Sequence, residues 1–245
     1  MGKPKSSPRL PATALAVANT RMTRIRGRYT WGRTKILQVG LIVVGYGKVR
    51  TRELKNMRVI AGEHKGRRLK AVPGNNTRPT TDKVKESMFN IIGPYFDGGT
   101  ALDLFAGTGG LGIESLSRGI DKAIFIDQDH KAIAVVRDNI NELRLNEQSE
   151  IYKNEARRSL DQLATRGLHF DLVFLDPPYK LTGMYEELVL KMQELGLLQD
   201  DAIVVAEHGA EVELPERFGA AVRWRHAVYG EIAISFYRYE RMTTQ

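Results

Sequence analysis

The sequence predicts a doubly wound α/β domain, with a mostly parallel seven-stranded sheet, an antiparallel C-terminal hairpin and a small N-terminal β-hairpin/helix extension. Three observations carry that expectation. From Thr100 onward, apolar runs of strand length alternate with stretches of helical periodicity, the rhythm of a parallel sheet with crossover helices. The last two runs are joined by Tyr229-Gly230 with no helix between them, which makes them antiparallel. The chain has 245 residues, 42% hydrophobic and 27% charged, so it can bury one sizeable core and is not disordered or collagen-like.

Residues 1–56 hold 13 Lys and Arg against one acid, Glu53, a net +12. They lack a sustained apolar period and read as a disordered basic arm. A nucleic-acid-binding tail, an Arg-rich targeting peptide and upstream codons translated from too early a start all fit this composition. The last is preferred, because Met57-Arg58-Val59-Ile60-Ala61-Gly62 opens like the first strand of a domain. Residues 57–97 form the extension. Across 57–72, two β-prone stretches flank a turn with Gly62 and Gly66, a basic β-hairpin. Thr80, Thr81 and Asp82 then offer a cap to a helix with Val84, Met88, Ile91 and Ile92 on one face, which stops at Gly93-Pro94.

Residues 98–245 form the main domain. Its strands are expected at 101–105, 123–126, near Ile151, and at 170–175 and 202–206; the helices between them at 111–118, 131–143, 157–165 and 185–195. The closing hairpin takes 222–227 and 231–239.

Composition excludes several functions. There is no cysteine, so disulfides, thiolate metal sites and cysteine nucleophiles are absent, and the five histidines have no paired metal-ligand spacing. The longest largely apolar stretch, residues 36–46, has 11 residues and two glycines, against roughly 20 for a membrane-spanning helix. Beyond residue 56 the 24 basic residues face 28 acidic ones, a net −4, so any polyanion contact in the body needs a local patch. One is present. Arg58, Lys65, Arg67, Arg68, Lys70, Arg78, Lys83 and Lys85 outnumber Glu63 and Asp82 by six. Arg58, Lys65, Arg67, Arg68 and Arg78 are the candidate phosphate contacts.

Two loops carry the chemistry. The first, Asp103-Leu104-Phe105-Ala106-Gly107-Thr108-Gly109-Gly110-Leu111-Gly112, follows a parallel strand and opens a helix, where open α/β sheets bind ligands. Gly107, Gly109 and Gly112 match the dinucleotide spacing, a generic signal that a tight strand–helix turn also explains. Asp103 suits a cationic, ammonium-bearing ligand such as S-adenosylmethionine and would repel a pyrophosphate. Asp127 ends the next strand, placed to accept both ribose hydroxyls; Asp129 reads as the cap of the following helix. The second loop is Asp176-Pro177-Pro178-Tyr179. Its prolines fix an extended, donor-free turn whose carbonyls and carboxylate are all acceptors. Such a cluster grips the N–H groups of an exocyclic base amine and frees its delocalised lone pair, while Tyr179 offers a stacking face worth ~1–3 kcal/mol.

With these motifs, residues 57 to about 240 resemble the RsmD-type 16S rRNA (guanine-N2)-methyltransferases, class I S-adenosylmethionine enzymes with a Rossmann-like sheet. The resemblance rests on residues 57–62 with Lys65-Gly66-Arg67, on Arg78-Pro79-Thr80, on residues 102–112 running to Ser117-Arg118-Gly119, and on Asp176 to Tyr179. It implies Asp103, Gly107 and Gly109 at the methionine end of the cofactor, with Phe105, Ala106 and Thr108 in the same loop, and Asp127 at its ribose. Asp176, Pro177, Pro178 and Tyr179 would hold the guanine. Glu155 before Ala156 stands where the family uses an aspartate for the adenine amine, and Asn139 is expected to be structural. The resemblance further implies a cytoplasmic enzyme acting on 16S rRNA within a small-subunit ribonucleoprotein; a monomer is the default expectation, and direct in-line transfer needs no metal. The arm has no counterpart in it. The residues alone also admit an adenine-N6 or cytosine-N4 methyltransferase, an NAD-dependent oxidoreductase, and a non-catalytic rRNA-binding assembly factor.

Overall fold

The computed structural model describes residues 57–73, 81–177 and 182–240, together with two short strands nearer the N-terminus. The chain divides into two compact units, residues 1–37 and 38–245. In the first, β1 (Arg24–Ile25) and β2 (Arg28–Tyr29) pair antiparallel. The remainder of the basic arm lies outside the described residues, as do Arg78, Pro178 and Tyr179.

In the second unit, α1 (Asp82–Ile92) starts where Thr81 accepts from the Val84 N–H and ends at Gly93, whose φ of 132° only glycine adopts easily. The sheet follows. It comprises β3 (Thr100–Asp103), β4 (Lys122–Asp127), β5 (Ser149–Lys153), β6 (Phe170–Leu175), β7 (Leu198–Gly209), β8 (Arg217–Phe218), β9 (Ala221–Tyr229) and β10 (Ile232–Tyr239). Their order is β5-β4-β3-β6-β7-β10-β9-β8, parallel from β5 to β7 and antiparallel beyond. Seven strands match the expected ones; β8 is an eighth, whose two residues are too few to leave a periodic signal. β7 begins four residues before the apolar run, because a register shift opposite Phe170 and Leu172, with Asp201 at φ 65°, admits polar residues into the strand.

Side chains alternate across the sheet, and each face acquires its own core. On one face α1, α2 (Gly110–Ser117) and α3 (His130–Leu143) pack Phe89, Ile113 and Val136 against Phe125, Phe174 and Phe236. On the other, α4 (Ala156–Thr165) and α5 (Gly183–Glu194) pack Leu160, Leu188 and Met192 with Leu102, Val173 and Val204. Helices on both faces make the sheet doubly wound.

Residues 57–72 do not form the expected regular hairpin. They make one antiparallel bridge, Arg58 to Arg68, flanked by Val59 N–H to Arg67 O at 2.9 Å and Leu69 N–H to Met57 O at 2.8 Å. The ladder stops because the next donors are used elsewhere. Ile60 and Ala61 give their N–H groups to the Glu114 carboxylate of α2, at 2.8 and 2.9 Å. Glu114 is fully buried and also receives Lys85 Nζ at 3.0 Å and Arg118 Nε at 2.8 Å. Lys85 further donates to Arg58 O at 2.6 Å, and Arg118 NH1 to Pro94 O at 3.0 Å. Burial pulls the Lys85 pKa below its usual value, with Glu114 opposing the shift. Lys85 therefore leaves the surface patch in which the sequence counts it: only 5% of the residue is exposed.

Replacing Glu114 by Ala strands two buried cations and two amide donors. The expected cost is about 3–5 kcal/mol, measured by urea denaturation; a loss under ~1 kcal/mol would contradict the brace.

Candidate active site at the strand ends

The carboxyl ends of β3, β4 and β6 converge on one rim, and each delivers an aspartate. Asp103, the last residue of β3, is 3% exposed and accepts from the Gly112 N–H at 3.1 Å. Desolvation raises its pKa from 3.8 to about 7, the Gly112 bond opposing this and Asp127 adding repulsion. Gly112 is a glycine for packing: a Cβ there would run into the Phe125 ring. Gly109 caps α2 in the left-handed region, φ 78°, and Gly107 lies at φ 52°. Phe105 is partly buried and Ala106 buried, its N–H on Ile126 O at 2.9 Å.

Asp127 ends β4 and shapes the same loop. Its Oδ2 accepts from Gly107 N–H at 2.8 Å and its Oδ1 from Asp129 N–H at 2.9 Å, each oxygen keeping a lone pair for an outside donor. Asp129 caps α3 through Lys131 N–H at 2.9 Å, the role its sequence position suggested. Asn139, 1% exposed, is structural as expected: it gives Nδ2 to Thr108 O at 2.9 Å and Lys70 O at 3.2 Å, and accepts from Lys70 N–H at 2.8 Å. It ties the glycine loop to the extension. Glu155, expected at an adenine amine, uses both carboxylate oxygens to cap α4, from Arg157 N–H at 3.0 Å and Arg158 N–H at 3.1 Å, with Ala156 buried behind it.

Asp176 follows β6 directly, exposed to solvent on one side, with Pro177 buried after it. Its pKa is raised well above the usual carboxylate value, first by desolvation from the protein crowding the rim, then by repulsion from Glu207 and Asp103. Residue pairing between β3 and β6 puts Asp103 beside Phe174. Asp176, two residues on, thus projects from the same face as Asp103, one strand away. Glu207, on the neighbouring strand β7, was missed in the sequence. Its signal was positional, being the first charge after the apolar run 202–206.

The described candidate phosphate contacts, Arg58, Lys65, Arg67 and Arg68, belong to the extension. Lys65, Arg67 and Arg68 are exposed on and beside the turn of the extension, Arg67 reaching Glu142 O at 3.2 Å. Arg58 is exposed and pairs with Asp82 at 2.8 Å. A cavity of about 290 Å³ between α4 and β5, lined by Ile126, Tyr152, Leu163 and Arg166, opens on the other face of the sheet from Asp103 and Asp176. It shares no residue with the rim.

Comparisons with known proteins follow the same outline. A family model described as "Conserved hypothetical protein 95" matches residues 57–238. A Bacillus subtilis (strain 168) protein named "Putative rRNA methyltransferase YlbH" is 53% identical over 182 residues, covering 74% of this chain and 98% of that protein. The "Ribosomal RNA small subunit methyltransferase D" of Escherichia coli (strain K12) is 32% identical over 187 residues, covering 75% and 90%. Among solved structures, "Putative methyltransferase yhhF from Escherichia coli" superposes with a TM-score of 0.65 at 33% identity, over 76% of this chain and 98% of that one. At 13% identity and a TM-score of 0.51, an RNA methyltransferase from Salinibacter ruber, solved in complex with S-adenosyl-L-homocysteine, shares the fold over 68% of this chain and 97% of that one. From Met57 onward, sequence and sheet agree, and the chain belongs to the "Conserved hypothetical protein 95" family, that of the RsmD-type methyltransferases.

Proposed function

We propose that the protein transfers a methyl group from S-adenosylmethionine to the exocyclic N2 of a guanine in 16S rRNA. The observation that carries this reading is that Asp103 and Asp176 stand on one face of adjacent strands, Asp103 pairing with Phe174 two residues before Asp176, an arrangement suited to a cationic cofactor beside an amine. The names of the relatives, rRNA methyltransferases, support the substrate class. The S-adenosyl-L-homocysteine bound in the Salinibacter enzyme supports the cofactor.

The residues fit that cofactor. Desolvation biases the buried Asp103 carboxylate toward its neutral form, and a cationic amine arriving there favours ionisation. Asp103 is thus matched to the ammonium of the methionine end, and the free lone pairs of Asp127 to the ribose hydroxyls. When bound, S-adenosylmethionine would supply a sulfonium methyl open to in-line attack by a nitrogen lone pair, the neutral thioether leaving with the C–S electron pair. Asp176 accepts an N–H of the guanine amine, orienting its lone pair, and takes the proton the nitrogen must lose as the N–C bond forms. A raised pKa makes it the stronger base for that transfer. Pro177 and Pro178 keep the acceptor turn rigid, and Tyr179 gives the base a stacking face. Positioning of this kind can replace ~7–11 kcal/mol of barrier. The base must leave its helix to arrive, at roughly a few kcal/mol. Arg58, Lys65, Arg67, Arg68 and Arg78 hold the flanking phosphates.

Asp176→Asn should lower kcat by about 10²–10⁴-fold while leaving S-adenosylmethionine binding unchanged by calorimetry. For the wild type, kcat should climb with pH to a plateau, its midpoint above the ordinary carboxylate range because Asp176 must be ionised to accept the proton.

Asp103 makes a separate prediction on stability. Its folded pKa is raised from 3.8 to about 7, so its contribution is fully present below the unfolded value and is lost as pH climbs through the folded one. Between the unfolded value of 3.8 and the folded value of about 7, the cofactor-free wild type should lose melting temperature relative to Asp103→Asn, which should also fail to bind S-adenosylmethionine. Arg67→Ala with Arg68→Ala should weaken RNA binding and reduce its log–log salt slope by up to ~2; an unchanged slope removes that turn from the RNA site.

A further inference from the structure

Pairing between β6 and β7 sets Leu175 beside Ala206, so the next residues, Asp176 and Glu207, are neighbours across two parallel strands. Adjacent strands lie about 4.8 Å apart. The alternation of side chains puts both on one face. Leu172 and Phe174 of β6 pack in the same core as Val205 of β7, while Val173 and Leu175 pack with Val204 and Ala206 on the other. Asp103 belongs to the first face, because Ala101 does. Glu207 is 3% exposed, and its backbone carbonyl is held from the opposite face by the Tyr185 hydroxyl at 2.6 Å. A longer carboxylate therefore stands one strand beyond the acceptor of the target amine, on a strand that pairs with β10, Glu207 opposite Ile234.

Base chemistry gives this arrangement a meaning. In guanine the 2-amine is flanked by N1–H, a second donor. In adenine the position beside the 6-amine is N1, and in cytosine the position beside the 4-amine is N3, each an acceptor. Two carboxylates side by side match guanine alone. Against the other bases the second carboxylate meets a lone pair, and a buried acceptor left facing an acceptor discriminates strongly. We propose that Glu207 accepts the N1–H of the target base while Asp176 accepts an N2–H, making Glu207 the residue that selects guanine among the amine-bearing bases. This rests on the reading that the site methylates an exocyclic amine at N2. Like-charge repulsion between the two carboxylates, which contributes to the raised pKa of Asp176, is relieved when two adjacent N–H donors enter between them.

The test uses the full chain and small-subunit particles reconstituted with 16S rRNA in which the modified guanine, first located by mass spectrometry of ribonuclease fragments, is replaced by 2,6-diaminopurine. That base keeps the 2-amine but presents an acceptor at N1. The wild type should prefer guanine by at least 100-fold in kcat/KM. Glu207→Gln, whose amide can donate to N1, should narrow this preference to less than 10-fold, mainly by losing rate on guanine, with S-adenosylmethionine binding unchanged. Glu207→Asp, which keeps the carboxylate, should retain the preference at a lower rate. Wild-type enzyme that treats both bases alike overturns the proposal without need of a variant that folds. So does Glu207→Gln with the wild-type preference while the product is still N2-methylguanosine, an outcome that leaves the parent reading standing. A product methylated at adenine N6 or cytosine N4 overturns both.

Discussion

One buried carboxylate organises the described part of the extension. Glu114, in the middle of α2, receives the Ile60 and Ala61 amides from the extension, Lys85 from α1 and Arg118 from its own helix. Four donors on two oxygens satisfy a charge that burial would otherwise make prohibitive. The same segment is closed by shape as well as charge. The Ser117 carbonyl and hydroxyl take the Glu63 and His64 amides at 2.9 and 3.0 Å, and a Cβ on Gly62 would collide with that carbonyl. The helix that begins at the glycine loop thus also fixes the turn that bears Lys65, Arg67 and Arg68. Anything that moves α2 moves both.

The rim follows a different logic. Here carboxylates are gathered close together, and two of them, Asp103 and Asp176, are pushed toward their neutral forms by desolvation. Such a place is costly to charge when empty and favourable to charge when a cation and a set of N–H groups arrive together. The fold supplies the arrangement through register alone. Three adjacent parallel strands, β3, β6 and β7, run in register, so that Asp103, Asp176 and Glu207 stand on one face, each one strand from the next.

Much of this was legible in the sequence because it depends on local signals. The α/β rhythm, the Thr81 cap, the Gly93 stop, Asp129 as a cap and Asn139 as a tie all follow from periodicity or from the chemistry of one residue. What escaped depends on partners distant along the chain. Lys85 looks like surface charge until Glu114 is placed beside it, and the first limb of 57–72 looks like a hairpin strand until that carboxylate captures its amides. β8 is too short to register, and Glu207 gains significance only once β7 is known to lie next to β6.

The separation between the two ends of the Glu114 brace has a consequence for synthesis. Ile60 and Ala61 meet a residue made 54 and 53 positions later. As a chain grows from its N-terminus, the basic turn emerges well before the helix that shapes it. The turn therefore acquires its observed hydrogen bonds to Glu114 only once α2 has been released, while the strands from β4 onward are still to emerge.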